Sequence, residues 1–439
     1  MTHPLDEIVA ANRRGEQEGI TSVCSAHPLV LEAACQRALA DGTPLLVEAT
    51  CNQVNQEGGY TGMTPADFRD AVGTIAVRVG LPETRVILGG DHLGPSPWQA
   101  LPADEAMVRA EAMVAAYAAA GFVKLHLDAS MPCADDPQAL DDATVARRAA
   151  RLAAAAERAA GEGQGWLRYV VGTEVPVPGG AQEHLDTLTV TDTADLESTL
   201  RTHREVFVEA GLEEAWGRVR AVVVQPGVEF GHTEVVDFAP ESAHDLSRAI
   251  HAWPDLVFEA HSTDYQTPRA YHQLVAGHFA ILKVGPALTF TLREALFALD
   301  RIAEEAPGVH WPISLRETLE VEMLAEPRYW QAYYAGDPDE QRFARAYSLS
   351  DRCRYYWSRP RVAEAVEGLF AALAAAPMPP TLISQYLPVQ YAAIRRGELE
   401  ATPRALVRHR IDETLAAYAA ACCPGIGRSQ TNDSRVTTD

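Results

Sequence analysis

The sequence has few cysteines, no excess of positive charge and no long apolar run. Its 439 residues include 7 Cys, and 37 Lys and Arg against 60 Asp and Glu, for a formal net charge of −23. Scattered cysteines without a C-x-x-C pair are typical of a reduced, cytoplasmic protein and do not support a zinc finger. A surface this acidic repels nucleic acid and anionic lipid, and no run approaches the roughly 20 apolar residues that span a bilayer. We therefore expect a cytoplasmic protein without a nucleic-acid or membrane partner.

The sequence does contain a repeated alternation of short apolar runs and longer helical patterns. Because eight β/α units suit a closed parallel barrel, the alternation predicts an α/β fold, a TIM (β/α)8 barrel. A doubly wound sheet is the alternative, but no G-x-G-x-x-G follows the first run to mark a dinucleotide crevice. The eight runs rich in Val, Ile and Leu are residues 20–26, 45–51, 85–92, 122–129, 167–175, 219–227, 256–264 and 279–288.

The strand pattern stops after the eighth run, and only helical patterns follow. These cover residues 292–306, 315–325, 361–375 and 402–421. They predict a helical C-terminal extension. We therefore divide the chain into a barrel with a metal and sugar site over residues 1–300, a helical extension packed on it over 301–423, and a disordered tail over 424–439.

A metal site is predicted at the carboxyl ends of the strands, where TIM barrels place their active sites. The third run ends in Gly89-Gly90-Asp91-His92, which sets a carboxylate beside an imidazole. His232 and His261 follow the sixth and seventh runs. We expect His92, His232 and His261 to converge on one divalent ion, with Asp91 beside it as a base. Zinc is favoured, and manganese or nickel are alternatives.

Other polar residues of the strands and loops complete the predicted site. Lys124, His126 and Asp128 alternate along the fourth run and so share one face, although a purely structural role in the barrel core is the alternative. Lys283 of the eighth run, or Lys124, could also form a Schiff base with a ketone or bind an anionic group. The amide-rich loop after the second run suits hydrogen bonds to a polyol. The catalytic candidates are Asp91, Glu174 and Asp128, and the substrate-binding candidates are Asn52, Gln53, Lys124, His126, Gln225, Glu229, Ser262, Asp264 and Lys283.

Ten segments, spread over nearly the whole chain up to about residue 421, carry a resemblance to a known family. They are residues 22–30, 52–63, 89–95, 124–131, 172–180, 224–230, 259–267, 283–288, 348–352 and 383–388. The chain resembles the GatZ/KbaZ family, the Z subunit of class II tagatose-bisphosphate aldolase. The resemblance implies a barrel that works in hexitol, galactosamine and tagatose catabolism.

The resemblance implies two different activities. The best-known members are partner subunits of a separate GatY/KbaY-type aldolase chain, whereas other relatives act alone as metal-dependent tagatose or fructose 4-epimerases. The Asp91-His92 pair is similar to the Asp-His pair of catalytic class II aldolases, in which the Asp is the acid/base and the His binds zinc. A kinase label used in the family finds no support here, because the sequence has no G-x-x-x-x-G-K-[ST] loop.

We therefore expect metal-dependent aldol-type chemistry at C3–C4 of a ketohexose or its phosphate, in which cleavage, rotation of the aldehyde and re-addition invert C4. The rival is a non-catalytic subunit that stabilises a separate aldolase chain, and self-association is left open. Catalytic class II aldolases carry a glycine-rich phosphate turn after the seventh strand, whereas this chain has Ser262-Thr263-Asp264-Tyr265. Because Asp264 would repel a phosphate, the substrate is expected to be a neutral ketose or a monophosphate held elsewhere.

Overall fold

The chain folds into a closed barrel of eight parallel strands. A computed structural model describes residues 2–173, 188–423 and 425. The strand order around the barrel is β1-β2-β3-β4-β5-β6-β9-β10, with β10 paired back onto β1, while β7 and β8 form a separate antiparallel pair. The predicted TIM barrel is confirmed, and each predicted run overlaps one barrel strand, although β3 extends one residue beyond the third run. The strands are β1 Ile20–Val23, β2 Leu45–Thr50, β3 Val86–Leu93, β4 Lys124–Leu127, β5 Arg168–Val171, β6 Val219–Val224, β7 Glu229–Phe230, β8 Val235–Val236, β9 Val257–Ala260 and β10 Phe279–Val284.

Proline sets the start of many helices. Ten of the sixteen α-helices described begin with proline, whose missing N–H is not needed in the first turn and whose ring fixes φ near the helical value. The helices are α1 Pro4–Arg13, α2 Pro28–Asp41, α3 Pro65–Val79, α4 Ala103–Ala119, α5 Asp142–Ala160, α6 Thr193–Glu209, α7 Glu213–Trp216, α8 His244–Ala249, α9 Pro268–Ala276, α10 Pro286–Glu305, α11 Leu315–Ala325, α12 Pro338–Tyr347, α13 Pro360–Ala375, α14 Pro380–Tyr386, α15 Pro388–Arg396 and α16 Pro403–Cys422.

Helix α1 closes the amino-terminal end of the barrel. Its apolar residues Leu5, Ile8 and Val9 join the buried residues that the strands point inward at that end. The Asp6 carboxylate lies 2.6 Å from Arg168 Nη2 and 2.5 Å from Arg220 Nε, so helix and strands are also tied by charge. Because this end is filled, a ligand can reach the barrel interior from the carboxyl-terminal end.

The helices after the barrel pack on its outside and share its core. Helix α16 contacts α2, α9 and α10, and one hydrophobic cluster includes residues of both the barrel and the extension. The predicted boundary at residue 300 falls inside α10, and the predicted tail over 424–439 lies outside the described residues except for Gly425. Within the described part of the chain, no helix has the length and apolar character needed to cross a membrane.

Candidate functional site

Glycine in β3 makes room for the side chains of the site. A Cβ atom on Gly89 would lie 2.7 Å from the Glu48 Cγ atom, and one on Gly90 would lie 2.8 Å from a ring carbon of Tyr117. Any larger residue at either position would displace its neighbour, because real Cβ atoms do not approach so closely. Gly89 therefore makes room for Glu48 of β2 beside β3, and Gly90 makes room for Tyr117 of α4.

Two lysines and three carboxylates form a buried ion network below the barrel mouth. The Lys124 ammonium lies 2.7 Å from Glu48 Oε1 and 2.5 Å from Glu259 Oε2. The Lys283 ammonium lies 2.9 Å from Asp91 Oδ1 and 3.0 Å from Glu48 Oε2. None of the five side chains is more than 6% exposed. Because a buried charge is costly without a partner, these contacts hold all three carboxylates in place.

Three imidazoles, His92, His126 and His261, lie beside this network with ring centroids 4.8 to 5.2 Å apart. In His92 and His261 one nitrogen lies next to a carboxylate, which can only accept a hydrogen bond and so fixes a proton on that nitrogen. When these two rings are neutral, their other nitrogen keeps its lone pair, the arrangement typical of histidines that bind metals. The Nδ1 atom of His126 differs, because it lies beside the Asp91 carboxylate and also accepts from the His92 backbone N–H at 3.2 Å. The three partners are Asp128 Oδ2 at 2.8 Å for His92, Asp91 Oδ1 at 3.0 Å for His126 and Glu259 Oε1 at 3.1 Å for His261.

Strained backbone lies next to these groups. His92 has φ of +50° and Ser262, directly after His261, has φ of +53°, a region that residues other than glycine rarely adopt. Such conformations cost about 1–3 kcal/mol each and persist where the surrounding packing enforces them, often at functional sites. The strand ends of β3 and β9 are therefore held in the geometry that brings their imidazoles together.

The residues present fit a divalent cation. Ligand atoms of Asp91, His126, Glu259 and His261, which we call the candidate metal cluster, all lie within 4.8 Å of one another. The buried His126 Nε2 has no hydrogen-bond partner among the described residues. With neutral imidazoles, the four carboxylates around the cluster outnumber the two ammonium groups by two. One divalent ion would offset this excess and would satisfy the His126 nitrogen.

The protonation states agree with this arrangement for His261, Asp91 and Lys283 but not for His92. Burial alone would lower the pKa of His92, but the carboxylates of Asp91 and Asp128 raise it above its ordinary value, which favours the charged imidazole. Burial lowers the pKa of His261 to about 3, so its imidazole is neutral. Burial alone would raise the pKa of Asp91, but His92, Lys283 and His126 hold it well below its ordinary value, so the carboxyl is ionised. Burial alone would lower the pKa of Lys283, yet Asp91 and the other carboxylates raise it well above its ordinary value. Lys283 is thus an ammonium ion and not the free amine that a Schiff base requires.

Asp264 occupies the amino terminus of α10. Its Oδ1 accepts hydrogen bonds from the N–H groups of Gly285 at 3.1 Å and Ala287 at 2.8 Å. Burial nevertheless raises the pKa of Asp264 to about 6, and burial raises the pKa of nearby Glu229 to about 7. Helix amino termini attract anions, and here the place is taken by a side chain of the protein itself. A phosphate would have to displace Asp264 to bind there.

His232 does not join the other predicted metal ligands. Its Nε2 lies 3.0 Å from the carbonyl oxygen of Tyr333 and its Nδ1 lies 3.0 Å from Ser348 Oγ. Since a carbonyl oxygen only accepts, Nε2 carries the proton, and Nδ1 accepts from the serine hydroxyl. Both nitrogens therefore bind the extension, and the imidazole beside His92 and His261 is His126. The candidate metal cluster thus keeps His261 of the three predicted ligands, and has His126, Asp91 and Glu259 in place of His92 and His232.

A cavity of about 600 Å³ connects the barrel mouth with the extension. The predicted residues that line it are Asn52, Gln53, Asp91, His92, His261, Ser262, Asp264 and Lys283. The Gln53 amide is engaged within the protein, because its Oε1 accepts from the Thr50 N–H at 2.9 Å and its Nε2 donates to the Cys24 carbonyl at 3.3 Å. Among the amides of this loop, Asn52 is thus the better placed to contact a ligand.

The other predicted site residues that the structure describes lie away from the cavity wall. Asp128 orients His92 and also accepts from the Ser130 hydroxyl at 2.6 Å. Gln225 Oε1 accepts from the N–H groups of Gly227 and Val228 and so closes a turn. Glu229 accepts from the adjacent Phe230 N–H. Lys124 and His126 lie deeper in the barrel, and Glu174 lies outside the described residues.

Five residues of the site are absent from the predicted set. Glu48 and Glu259 interrupt apolar strands, and a carboxylate in such a run is a detectable signal because it must have a buried partner. The other three come from the extension, after the strand pattern has ended, and their approach to the barrel has no local sequence signal. They are Arg354, Tyr355 and Trp357, all of which line the cavity.

Comparison with known proteins agrees with this architecture. Residues 5–423 match the family described as D-tagatose-1,6-bisphosphate aldolase subunit GatZ/KbaZ-like. A probable tagatose 6 phosphate kinase from Sinorhizobium meliloti 1021 is 52% identical, with 92% of this chain and all of that chain aligned and a TM-score of 0.85. The fructuronate-tagaturonate epimerase UxaE from Cohnella laeviribosi is 12% identical over 92% of this chain and 81% of that chain with a TM-score of 0.51, a likeness of fold alone. The chain therefore belongs to the GatZ/KbaZ-like family.

Proposed function

We propose that this chain is a divalent-metal-dependent enzyme that inverts C4 of a ketohexose or its monophosphate by aldol-type chemistry. The candidate metal cluster beside a sugar-sized cavity is the observation that carries the proposal. Membership of a family described by an aldolase subunit supports the same class of reaction. The His-rich ligand set favours zinc, with manganese or nickel as alternatives.

A divalent ion held by His126 and His261, with Asp91 and Glu259 next to it, would act as a Lewis acid towards the C2 carbonyl and a neighbouring hydroxyl of the ketose. The protein orients these ligands itself. Lys124 holds Glu259, and Glu259 in turn holds His261 by a hydrogen bond of 3.1 Å. Fixed second partners of this kind keep a ligand's lone pair aimed at the ion.

Asp91 is the proposed proton acceptor. It lines the cavity, and its neighbours Lys283 and His126 keep it ionised. It takes the proton of the C4 hydroxyl as the C3–C4 bond breaks and its electrons pass towards the C2 carbonyl. After the aldehyde has turned, C3 attacks its opposite face and Asp91 returns the proton to the C4 oxygen. Atoms and charge balance without a further reactant.

Metal removal and one carboxylate variant test this function. Chelated protein is assayed for interconversion of D-tagatose and D-fructose and of their 6-phosphates, and is then reloaded with Zn²⁺, Mn²⁺ or Ni²⁺. We expect activity to disappear and return, and Asp91→Asn to lose about 10²-fold or more. Asp136→Asn is the matched control, because Asp136 pairs with Arg148 away from the cavity. Turnover that survives chelation, or that is equal in Asp91→Asn and wild type, would refute the proposal.

A second candidate function is a non-catalytic subunit, which the word subunit in the family description favours. In that case the purified chain alone shows no turnover with any of these sugars. It would instead raise the activity or the thermal stability of a separate class II aldolase chain on mixing. Stoichiometric metal in the isolated protein together with turnover would exclude this alternative.

A further inference from the structure

The extension provides a wall of the cavity that carries positive charge. Arg354 and Tyr355 come from the short helical turn Arg352–Tyr355 and line the cavity together with Tyr60 of the barrel. The Tyr60 and Tyr355 rings lie 4.6 Å apart, edge to face. Barrel and extension are therefore packed directly against each other at this wall.

Arg354 is a cation without a carboxylate partner among the described residues. Its Nη1 donates to the backbone carbonyls of Ser350 and Asp351, and its Nη2 donates to the Tyr355 hydroxyl at 3.1 Å. The Asp351 carboxylate pairs with Arg293 instead. These contacts orient the Arg354 guanidinium, and the carboxyl groups of Asp351 and Asp264 interact with it only at longer range.

The other arginines that line the cavity differ in this respect. Arg78 lies 2.9 Å from a Glu32 oxygen, and Arg404 lies 2.6 Å from a Glu367 oxygen. In the described part of the chain, Arg354 is thus the cavity arginine that is not in an ion pair and can meet an anion. Arg354 is half-buried, and a ligand anion there would gain charge-assisted hydrogen bonds from its guanidinium.

The surroundings strengthen the positive field at this wall. Arg352, next but one in the sequence, has a buried Nη1 without a hydrogen-bond partner among the described residues. Burial alone would raise the pKa of Tyr355, but the guanidinium groups of Arg354 and Arg352 outweigh it and lower the pKa below its ordinary value. At the barrel rim, by contrast, Asp264 already occupies the amino terminus of α10. An anionic ligand group is therefore attracted to the extension and not to the rim.

We propose that Arg354, with the Tyr355 hydroxyl, is an anion subsite that binds the single phosphate of a ketohexose monophosphate, while the carbonyl end of the sugar faces the candidate metal cluster. This inference rests on the proposed function and names its substrate class. Among the described arginines of the cavity, only Arg354 is outside an ion pair, so the subsite favours a monophosphate over a bisphosphate.

Binding measurements on metal-loaded protein test the subsite by affinity, a readout that does not depend on whether the sugar is turned over. D-Fructose, D-fructose 6-phosphate and D-fructose 1,6-bisphosphate are titrated by calorimetry, with inorganic phosphate as a competitor. We expect the monophosphate to bind at least about 10-fold more tightly than the other two, and phosphate to compete with it, because charge-assisted hydrogen bonds are strong. Equal affinity for fructose and its 6-phosphate would overturn the inference, and this comparison needs no variant.

Variants locate the subsite. Arg354→Gln should remove the preference for the monophosphate and leave fructose binding unchanged, and Arg354→Lys should restore part of it. Arg404→Gln is the matched control, since Arg404 lines the same cavity but is paired with Glu367. Loss of the preference in Arg404→Gln, or its retention in Arg354→Gln, would place the subsite elsewhere and contradict the assignment.

The two proposals fail in distinguishable ways. If the phosphate preference follows Arg354 but no sugar is turned over, the proposed reaction fails and the anion subsite stands. If fructose and tagatose are interconverted without any preference for the phosphate, the subsite fails and the proposed reaction stands.

Discussion

Replacing His126 tests which imidazoles hold the metal. His126→Gln removes the buried Nε2 that lacks a partner among the described residues, whereas His232→Gln removes a ring whose two nitrogens bind Tyr333 and Ser348. If the ion is held by the candidate metal cluster, only the first change weakens metal binding. If the predicted ligand set of the strand ends is right, the second change weakens it as well.

The expected difference follows from binding linkage. An ion at 100 times its Kd stabilises the folded state by about 2.7 kcal/mol when it binds the folded chain alone. Disturbing the surroundings of a metal ligand already costs about 10–100-fold in affinity, so loss of His126 should cost about 100-fold or more. At the same ion concentration the stabilisation then falls to about 0.4 kcal/mol. His126→Gln should thus lose about 2 kcal/mol of metal-dependent stability.

The assay is urea unfolding of chelated protein with and without added Zn²⁺, supported by calorimetric titration of the ion. His232→Gln should be less stable than wild type by about 1 kcal/mol per lost hydrogen bond, both with and without metal. Its gain in stability on adding Zn²⁺ should equal that of wild type. An equal loss of zinc affinity in His232→Gln and His126→Gln would refute the reasoning.

Three further predictions concern the packing and charge of the site. Lys124→Met leaves Glu259 without its closest cation and should destabilise the metal-free protein by about 3–5 kcal/mol in urea unfolding; a loss below about 1 kcal/mol would contradict the ion network. Gly94→Ala places a Cβ atom 1.6 Å from the Asp128 carbonyl oxygen and should cost at least about 3 kcal/mol in the same measurement, so a neutral effect would be inconsistent with the close approach of β3 and β4. Because burial raises the pKa of Asp264 to about 6, the folded chain binds this proton more tightly than the unfolded chain does. Between pH 4 and pH 7 the wild type should therefore lose on the order of 2 kcal/mol relative to Asp264→Asn, and parallel stability curves would refute this.

The alternation of strands and helices was predictable from the sequence because the spacing of apolar residues within each element is a local pattern. A strand of a parallel barrel is buried on both faces and is therefore apolar along its length. The helix that follows it repeats apolar residues every three or four positions. Each of the eight predicted runs accordingly overlaps a barrel strand, and the helix predicted over 315–325 coincides with α11 Leu315–Ala325. Most strand ends were predicted too late, for example at residue 129 for a strand that ends at Leu127, because apolar residues continue into the loops. The strand β3 is the exception, since it ends one residue after its predicted end.

The site itself was only partly predictable. The Asp91-His92 pair lies at the end of β3, and His261 comes directly after β9, so the position of these residues depends on local structure alone. His232 follows Phe230 of the β7–β8 pair, and this extra hairpin directs it towards the extension. The rule that site residues lie at the carboxyl ends of barrel strands does not predict such a hairpin. His126 was recognised as polar and inward-facing, but alternation along a strand does not distinguish a metal ligand from a substrate contact.

The distribution of charge explains why the extension belongs to the site. The chain carries a net charge of −23, and the carboxylates around the candidate metal cluster exceed their ammonium partners by two. The barrel mouth therefore attracts cations, and Asp264 adds a carboxyl group where the helix α10 would otherwise bind an anion. A phosphorylated sugar could approach such a barrel only if a separate element supplied positive charge. Arg354 of the extension is the proposed source of that charge on the same cavity, so Arg354→Gln should weaken binding of a sugar phosphate and leave binding of the metal unchanged.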